Sequence, residues 1–517
     1  MAETTKAQHK TMDSFQDIQI EDLRKIIQGM DFTKSSSDTI NKKIIKLACL
    51  YKLEIIQHLV NSTLLNNNYP TIFKKSIIIP ILKQSQSRNI EDLRPINLLS
   101  IFNQIIEKCM LKQLNKFFDE NGIIPENQYG FRKNKNTSSA VNMALHKLVQ
   151  AIDTNQSICV VFYDLKKAFE TVQHSLLIEK LKTIGIKGTA LTLIESYLSD
   201  RWQNVKLNNF SSNGKKIETG VPQGSVLGPT LFNFFIHDIQ RAIKHGDHFL
   251  FADDLMISIA SKNVETMIKQ MNEVNESIHM YFVDNGLTLN YKKCKYLIIN
   301  NEKQIKNNIV IGQNIIEKVD KFTYLGIVID KKLRFNEMFS YVYGRATNNL
   351  NKIRRNRKYL DEKTTFILIN AIVLSIINYG IDIYYGFLNS HEKNKLDILF
   401  KNSMKAINHD EPIIAVIKKY KILTVKQRYE YFSATWIKNS IQMEKNLFDL
   451  NENTFNLRRN NIIKSNTFKK THGHKSIFGE GVRLYNALPQ HLISIDNKNS
   501  FKKELKSYLF LSNKLNL

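Results

Sequence analysis

The residues best suited to chemistry gather in one stretch. Phe249-Leu250-Phe251-Ala252-Asp253-Asp254-Leu255-Met256-Ile257 sets two adjacent carboxylates between two short apolar runs. Runs of this length and composition predict strands, so the acids fall at the tip of a hairpin with buried arms. Taken by itself, an adjacent acid pair is most often a solvated turn. Here a second run, Cys159-Val160-Val161-Phe162-Tyr163, delivers a further carboxylate, Asp164, at its own end. Two like charges about 4 Å apart repel by about 4 kcal/mol at an effective dielectric near 20, and a divalent cation removes that cost. Asp164, Asp253 and Asp254 are therefore the expected ligands of Mg²⁺, which takes few carboxylates and leaves positions for phosphate oxygens. Two such ions about 4 Å apart can activate a hydroxyl and steady a leaving pyrophosphate.

The flanking elements must bring other groups to these acids. Lys74-Lys75-Ser76-Ile77-Ile78-Ile79-Pro80-Ile81-Leu82-Lys83 predicts a strand, and Arg94-Pro95 a break before a helix down to about Phe118. Lys83 and Arg94, cations at the ends of adjoining elements, suit a triphosphate. In Gly220-Val221-Pro222-Gln223-Gly224-Ser225-Val226-Leu227-Gly228 the glycines recur every four residues, as a tight loop feeding a helix from about Ser225 to Ile243. Gly224 lets backbone approach a ligand, and Gln223 can donate to a sugar hydroxyl or a base. A Walker-type phosphate loop is excluded, because no Gly-Lys-Ser/Thr follows. The residues after Asp164, Lys166 to Val172, predict the start of a helix; a longer one is expected over Leu176–Leu198. Val264–Phe282 has amphipathic helical spacing. Leu287–Asn300 and Phe322–Ile329 predict strands, completing a small sheet with helices on one face. Beyond about residue 335 the pattern is helical, with basic clusters at Lys352–Lys358 and Arg458-Arg459.

The chain has 517 residues, 43% apolar and 24% charged, enough for a large core and two or three subdomains. A formal charge of +26 and a pI near 9.6 favour a polyanionic partner, since binding releases phosphate counterions. Part of that charge is compositional, because Lys, Asn and Ile are abundant throughout. Four dispersed cysteines without a CxxC argue against a disulfide framework or zinc knuckle. They suit a reducing, intracellular compartment, nuclear or cytoplasmic. The polar start, Met1–Lys10, is no signal peptide. Phe366–Leu388, the most membrane-like stretch, is interrupted by Asn370, Ser375, Asn378 and Asp382, so a buried helix is expected there and no membrane partner.

Taken together, these residues resemble the reverse transcriptases of non-LTR retrotransposons of the jockey-like type, from about Lys34 onward. Arg94–Leu99 and Gln128-Tyr129-Gly130-Phe131-Arg132 resemble the family's finger motifs. Phe162–Phe169 resembles the first catalytic motif, and Gly220–Ser225 the template-and-nucleotide loop. Phe251-Ala252-Asp253-Asp254 resembles the catalytic hairpin, Asn285–Asn290 with Lys293 the motif after it, and Tyr324-Leu325-Gly326 the primer grip. Leu484–Pro489 resembles a C-terminal signature. The resemblance implies an α+β right-hand polymerase fold with fingers, a palm carrying a small antiparallel sheet, and a mostly helical thumb. Residues 1–60 would be a helical extension, 61–335 fingers and palm, and 336–517 thumb and C-terminal region.

It also implies roles. Asp164 and Asp253 would bind two Mg²⁺ ions, with Mn²⁺ as a substitute, and Asp254 would complete the acidic site. Lys83 and Arg94 would hold the triphosphate, Gln223 would contact the incoming dNTP, and Lys293 would protonate pyrophosphate. RNA template and DNA primer or target are the implied partners. Glu170 stands where the family commonly has Asp, with little effect expected, and Cys294 replaces the usual Thr after Lys293. The short segment before the resemblance leads us to expect no endonuclease. Phe169 carries an argument of its own. It lies five residues after Asp164, where a bulky group without hydrogen-bonding capacity would sit under the incoming sugar and exclude a 2′-hydroxyl; alternatively it is simply core. Two other functions stay open: a decayed or co-opted nucleic-acid-binding remnant, and an RNA-dependent RNA polymerase.

Overall fold

A computed structural model describes residues 10–33, 35–82, 93–301, 307–443, 447–450, 463–464 and 467–512. The strands that position the acids are, in chain order, β1 (Lys75–Leu82), β2 (Leu93–Leu98), β3 (Ser157–Tyr163), β4 (Arg201–Leu207), β5 (Asp247–Phe251), β6 (Asp254–Ser261), β7 (Lys295–Ile299), β8 (Glu317–Lys318), β9 (Lys321–Tyr324) and β10 (Ile327–Asp330). The central sheet has the order β8-β7-β3-β6-β5 and is antiparallel except for β7–β8.

β3 sits in the middle because it is apolar and buried from Ile158 to Tyr163. A strand of that kind needs cover on both faces. Side-chain alternation divides it between two cores. Cys159, Val161 and Tyr163 join the helices Ile101–Glu120 and Val264–Asp284; Ile158, Val160 and Phe162 join Thr137–Asp153 and Asn336–Arg355. The expectation of helices on one face is thus corrected: both faces are covered.

A second sheet places β1 between β2, which is antiparallel to it, and β4, which is parallel. Arg94 and Pro95 lie inside β2 rather than at a break. Pro95 is tolerated there because β2 is the edge strand.

The helix expected to begin within Lys166–Val172 does not form. Leu165-Lys166 pairs with Thr288-Leu289, Lys167 turns left-handed at φ 48, and the helix starts at His174. The cause is remote. The Phe169 and Val172 carbonyls accept from Val221 (2.8 Å) and Gly220 (2.7 Å) of the glycine loop instead of from a helical turn. The helix expected over 176–198 is two, His174–Thr183 and Gly188–Leu198, parted at Gly185 with φ 96. The helix after the glycine loop covers Gly228–Phe235 and continues only as a 3-10 turn, His237–Ala242. The stretch 322–329 forms its own hairpin, β9–β10, and leaves the central sheet. Glu362–Phe387 is, among the described residues, the one helical run long and apolar enough to cross a membrane, with 39% of its most apolar window buried. A π turn at Asn370–Leu374 and a left-handed Gly380 (φ 67) interrupt it.

Candidate active site

The β5–β6 hairpin closes over Ala252 and Asp253, with Phe251 paired to Asp254. Its arms bury Phe249, Leu250, Leu255, Met256 and Ile257. A two-residue hairpin turn needs positive φ at its first position, which normally selects glycine. Ala252 holds it at φ 56, a conformation that costs a side-chain-bearing residue about 1–2 kcal/mol. Gln128 offsets that cost. Its fully buried side chain accepts at Oε1 from the N–H groups of Ala252 and Gly130, both at 2.9 Å, and its Nε2 lies 3.4 Å from the Ala252 carbonyl. Tyr129 N–H donates to the Leu250 carbonyl at 2.7 Å, and Leu250 N–H to that of Asn127 at 2.9 Å. Gly130 lies so close that a Cβ there would stand 2.3 Å from the Ala252 nitrogen.

Asp164 follows β3 directly. Tyr163 pairs with Leu255, so continuing the register sets Asp164 across from Asp254. Residues opposed in this way share a face, with Cβ atoms about 5 Å apart. Asp164 and Asp254 line one cleft of about 530 Å³, with Lys293 and Tyr324-Leu325 on its other walls. The Asp254 carboxyl is pushed up to about 7, first by burial, then by the charges of Asp253 and Asp164, while Arg94 acts in the opposite direction. Asp254 as a whole is nonetheless solvent-exposed, at the mouth of this cleft. Asp254 thus feels the charges of the other two acids and of Arg94. Among the described residues, no group of three or more His, Cys, Asp or Glu side chains is closed up at metal-holding distance. The donors on offer are carboxylate oxygens, which suit a hard cation such as Mg²⁺.

Lys293 reaches the cleft because its turn is docked on Asp164. Asn290 N–H donates to the Asp164 carbonyl at 2.8 Å, and Lys293 N–H to that of Asn290 at 2.9 Å. Burial pushes the neighbouring Cys294 thiol up to about 11, so it stays protonated.

The glycine loop rests on β2. Asn97 N–H donates to the Gln223 carbonyl at 2.7 Å, and Gly224 has φ 111 with the Asn97 oxygen 2.7 Å from where a Cβ would be. This sets Gln223 beside the strand that carries Arg94. The Gln223 amide donates to the Glu170 carboxylate at 3.2 Å, so the Glu in the family's Asp position orients a loop residue. Phe169 is half-buried, stacked on Phe232 at 4.5 Å, with the edge of the exposed Phe131 at 6.4 Å. It is packed against the core and yet keeps a free side. Lys83 lies outside the described residues.

Residues 81–329 match the family model described as "Reverse transcriptase (RNA-dependent DNA polymerase)". This stretch is a reverse transcriptase domain. Its relatives are of the non-LTR retrotransposon type. The chain is 24% identical over 405 residues to the "RNA-directed DNA polymerase from mobile element jockey" of Drosophila melanogaster, covering 76% of this chain and 44% of that protein. It is 26% identical over 431 residues to the "Probable RNA-directed DNA polymerase from transposon BS" of the same fly, covering 78% and 47%. A "Probable RNA-directed DNA polymerase from transposon X-element" matches at 24% over 333 residues, 63% and 37% of the two chains. The chain therefore spans less than half the length of these curated relatives.

Sequence reasoning assigned no individual role to two residues of this reverse transcriptase domain. Gln128 is marked in the sequence only as part of a motif, although its side chain holds the Ala252 N–H of the acid-bearing turn. Glu107, fully buried on the helix Ile101–Glu120, accepts from Val226 N–H at 2.5 Å and Tyr197 Oη at 2.9 Å, and so anchors the exit of the glycine loop. A charged residue in the apolar phase of that helix was the available signal.

Proposed function

We propose that the chain is an RNA-directed DNA polymerase that adds dNTPs to a primer 3′ end on an RNA template. Asp164, Asp253 and Asp254 would hold two Mg²⁺ ions, or Mn²⁺ in their place. When bound, the metals would supply hydroxyl activation and leaving-group stabilisation. The chain's own residues do the rest. Arg94, with Lys83, neutralises the triphosphate. Gln223, oriented by Glu170, meets the nucleotide, and Gly224 admits it close to the backbone. Phe169 lies under the sugar and favours dNTPs by excluding a 2′-hydroxyl. Lys293, on the cleft wall, donates a proton to the departing pyrophosphate.

In this reading the central sheet is the palm, the β2-β1-β4 sheet belongs to the fingers, and the helices from Asn336 onward form the thumb and C-terminal region. Residues 1–60 are an N-terminal extension, and 61–335 hold fingers and palm. The observation that carries the reading is the β3–β6 register, which sets Asp164 opposite Asp254 in a cleft shared with Lys293.

Primer extension on an RNA template with Mg²⁺ tests it. Asp253→Ala should abolish extension while leaving primer–template affinity within about twofold, a change below about 0.5 kcal/mol. No incorporation by the pure wild-type chain would refute the reading and favour a nucleic-acid-binding remnant. Parallel loss of binding and extension in the variant would make Asp253 structural.

A further inference from the structure

At the end of the central sheet away from the acids lies a second cleft, of about 710 Å³. Ile298 and Ile299 form part of its lining. Ile299 pairs with Ile158 at the start of β3, and Asp164 is six residues further on. Ile299 is thus about 20 Å from Asp164 at about 3.3 Å per residue, while the rim at Lys318 is nearer, since its partner Tyr296 is paired with Val161.

Its rim is basic. Lys318, Lys331, Lys332, Arg334 and His472 surround it, against one acid, Asp320. That acid is taken by Lys331 at 2.8 Å. Lys318, Lys332 and Arg334 are exposed and make no ion pair with a carboxylate among the described residues. The backbone holds two of them in place. The Asp330 carboxylate accepts from the N–H groups of Lys332 (2.9 Å), Arg334 (3.1 Å) and Phe335 (2.8 Å). Leu333 and Phe335 are left-handed, at φ 47 and 60, with fully buried side chains. His472 Nε2 meets the Lys332 carbonyl at 3.0 Å. Non-glycine residues held left-handed are strained, and such strain persists where the surroundings over-determine it, often at binding sites. Here it keeps like charges fanned around one hollow.

We propose that this cleft is a second nucleic-acid site, which grips a few nucleotides of a single strand by their phosphates. Uncompensated cations in a concave surface select a polyanion, and the isoleucine lining accommodates bases. The volume holds a short single-stranded stretch and not a duplex. The site does not depend on the polymerase reading.

The test uses the full chain and short labelled single-stranded RNA and DNA oligonucleotides, read by fluorescence anisotropy across a salt series. Unlabelled primer–template duplex is held in excess. Lys318→Ala, Lys332→Ala and Arg334→Ala together should weaken oligonucleotide binding about tenfold or more. The slope of log K against log salt should fall by about 2, since each phosphate contact on a single strand contributes about 0.7. Melting temperature and primer extension should stay unchanged. Tighter binding of RNA or of DNA names the strand and supports the site. Unchanged binding in the variant, an unchanged salt slope, or no binding of either oligonucleotide by wild type overturns it. So does a parallel loss of extension, which would place these cations in the polymerase cleft. Absence of extension in wild type would count against the polymerase reading and not against this site.

Discussion

Asp254 offers the sharpest quantitative test. Its carboxyl is raised to about 7 by burial and by Asp253 and Asp164, so the metal-free folded state holds a proton there that the unfolded chain releases near pH 4. Stability from this residue is full below about pH 4 and is lost as pH rises through about 7. From an ordinary value near 3.9, at about 1.36 kcal/mol per pH unit, the ionised side chain costs about 4 kcal/mol. The side chain opens onto the cleft, and solvent screening reduces this to about 2 kcal/mol. Asp254→Asn keeps the shape and removes the charge. Without metal, the variant should be about 2 kcal/mol more stable than wild type at pH 8, relative to their difference at pH 4. For a cooperative unit of about 250 residues that is about 4–8 °C in Tm. Millimolar Mg²⁺ should shrink or reverse the gap at pH 8, because bound cation stabilises the wild-type folded state. Thermal unfolding followed by circular dichroism at both pH values, with EDTA and with Mg²⁺, reads this directly. A Tm difference independent of pH, or unmoved by Mg²⁺, would refute the shared-charge argument.

Gln128→Ala leaves the N–H groups of Ala252 and Gly130 without their acceptor, at about 1–3 kcal/mol each. It should lower kcat about ten- to a hundredfold, equivalent to about 1.4–2.7 kcal/mol of barrier, with primer–template affinity unchanged; equal losses in both would make Gln128 merely structural. Gly224→Ala puts a Cβ against the Asn97 oxygen in a left-handed conformation, so steady-state assays should show a raised dNTP KM with a smaller change in kcat. Phe169→Ala should raise the ratio of ribonucleotide to deoxynucleotide incorporation; a wild-type enzyme that already prefers ribonucleotides would end the argument for exclusion.

Much of the fold was legible because burial leaves a local trace. The run Ile158–Tyr163 is apolar at every position, and that by itself calls for a central strand with cover on both faces. The two arms around Asp253-Asp254 read as a hairpin for the same reason. What failed, failed where distant backbone competes with local preference. Lys166–Val172 looks helical, yet two of its carbonyls, those of Phe169 and Val172, are claimed by Val221 and Gly220, some fifty residues later. Phe322–Ile329 is rich in strand-forming residues and instead folds back on itself at Leu325-Gly326, where both residues adopt positive φ.

The order of the acids, their placement at strand ends and the excess of positive charge belong to the amino-acid sequence, because strand periodicity and ionisation are properties of neighbouring residues. Tertiary structure decided that Asp164 faces Asp254, that Gln128 holds the turn between the strands, that Glu170 steadies Gln223, and that a strained turn spreads cations around a second hollow. Each of these depends on which backbone groups, far apart in the chain, find one another when the core closes, and no short window of residues contains that information.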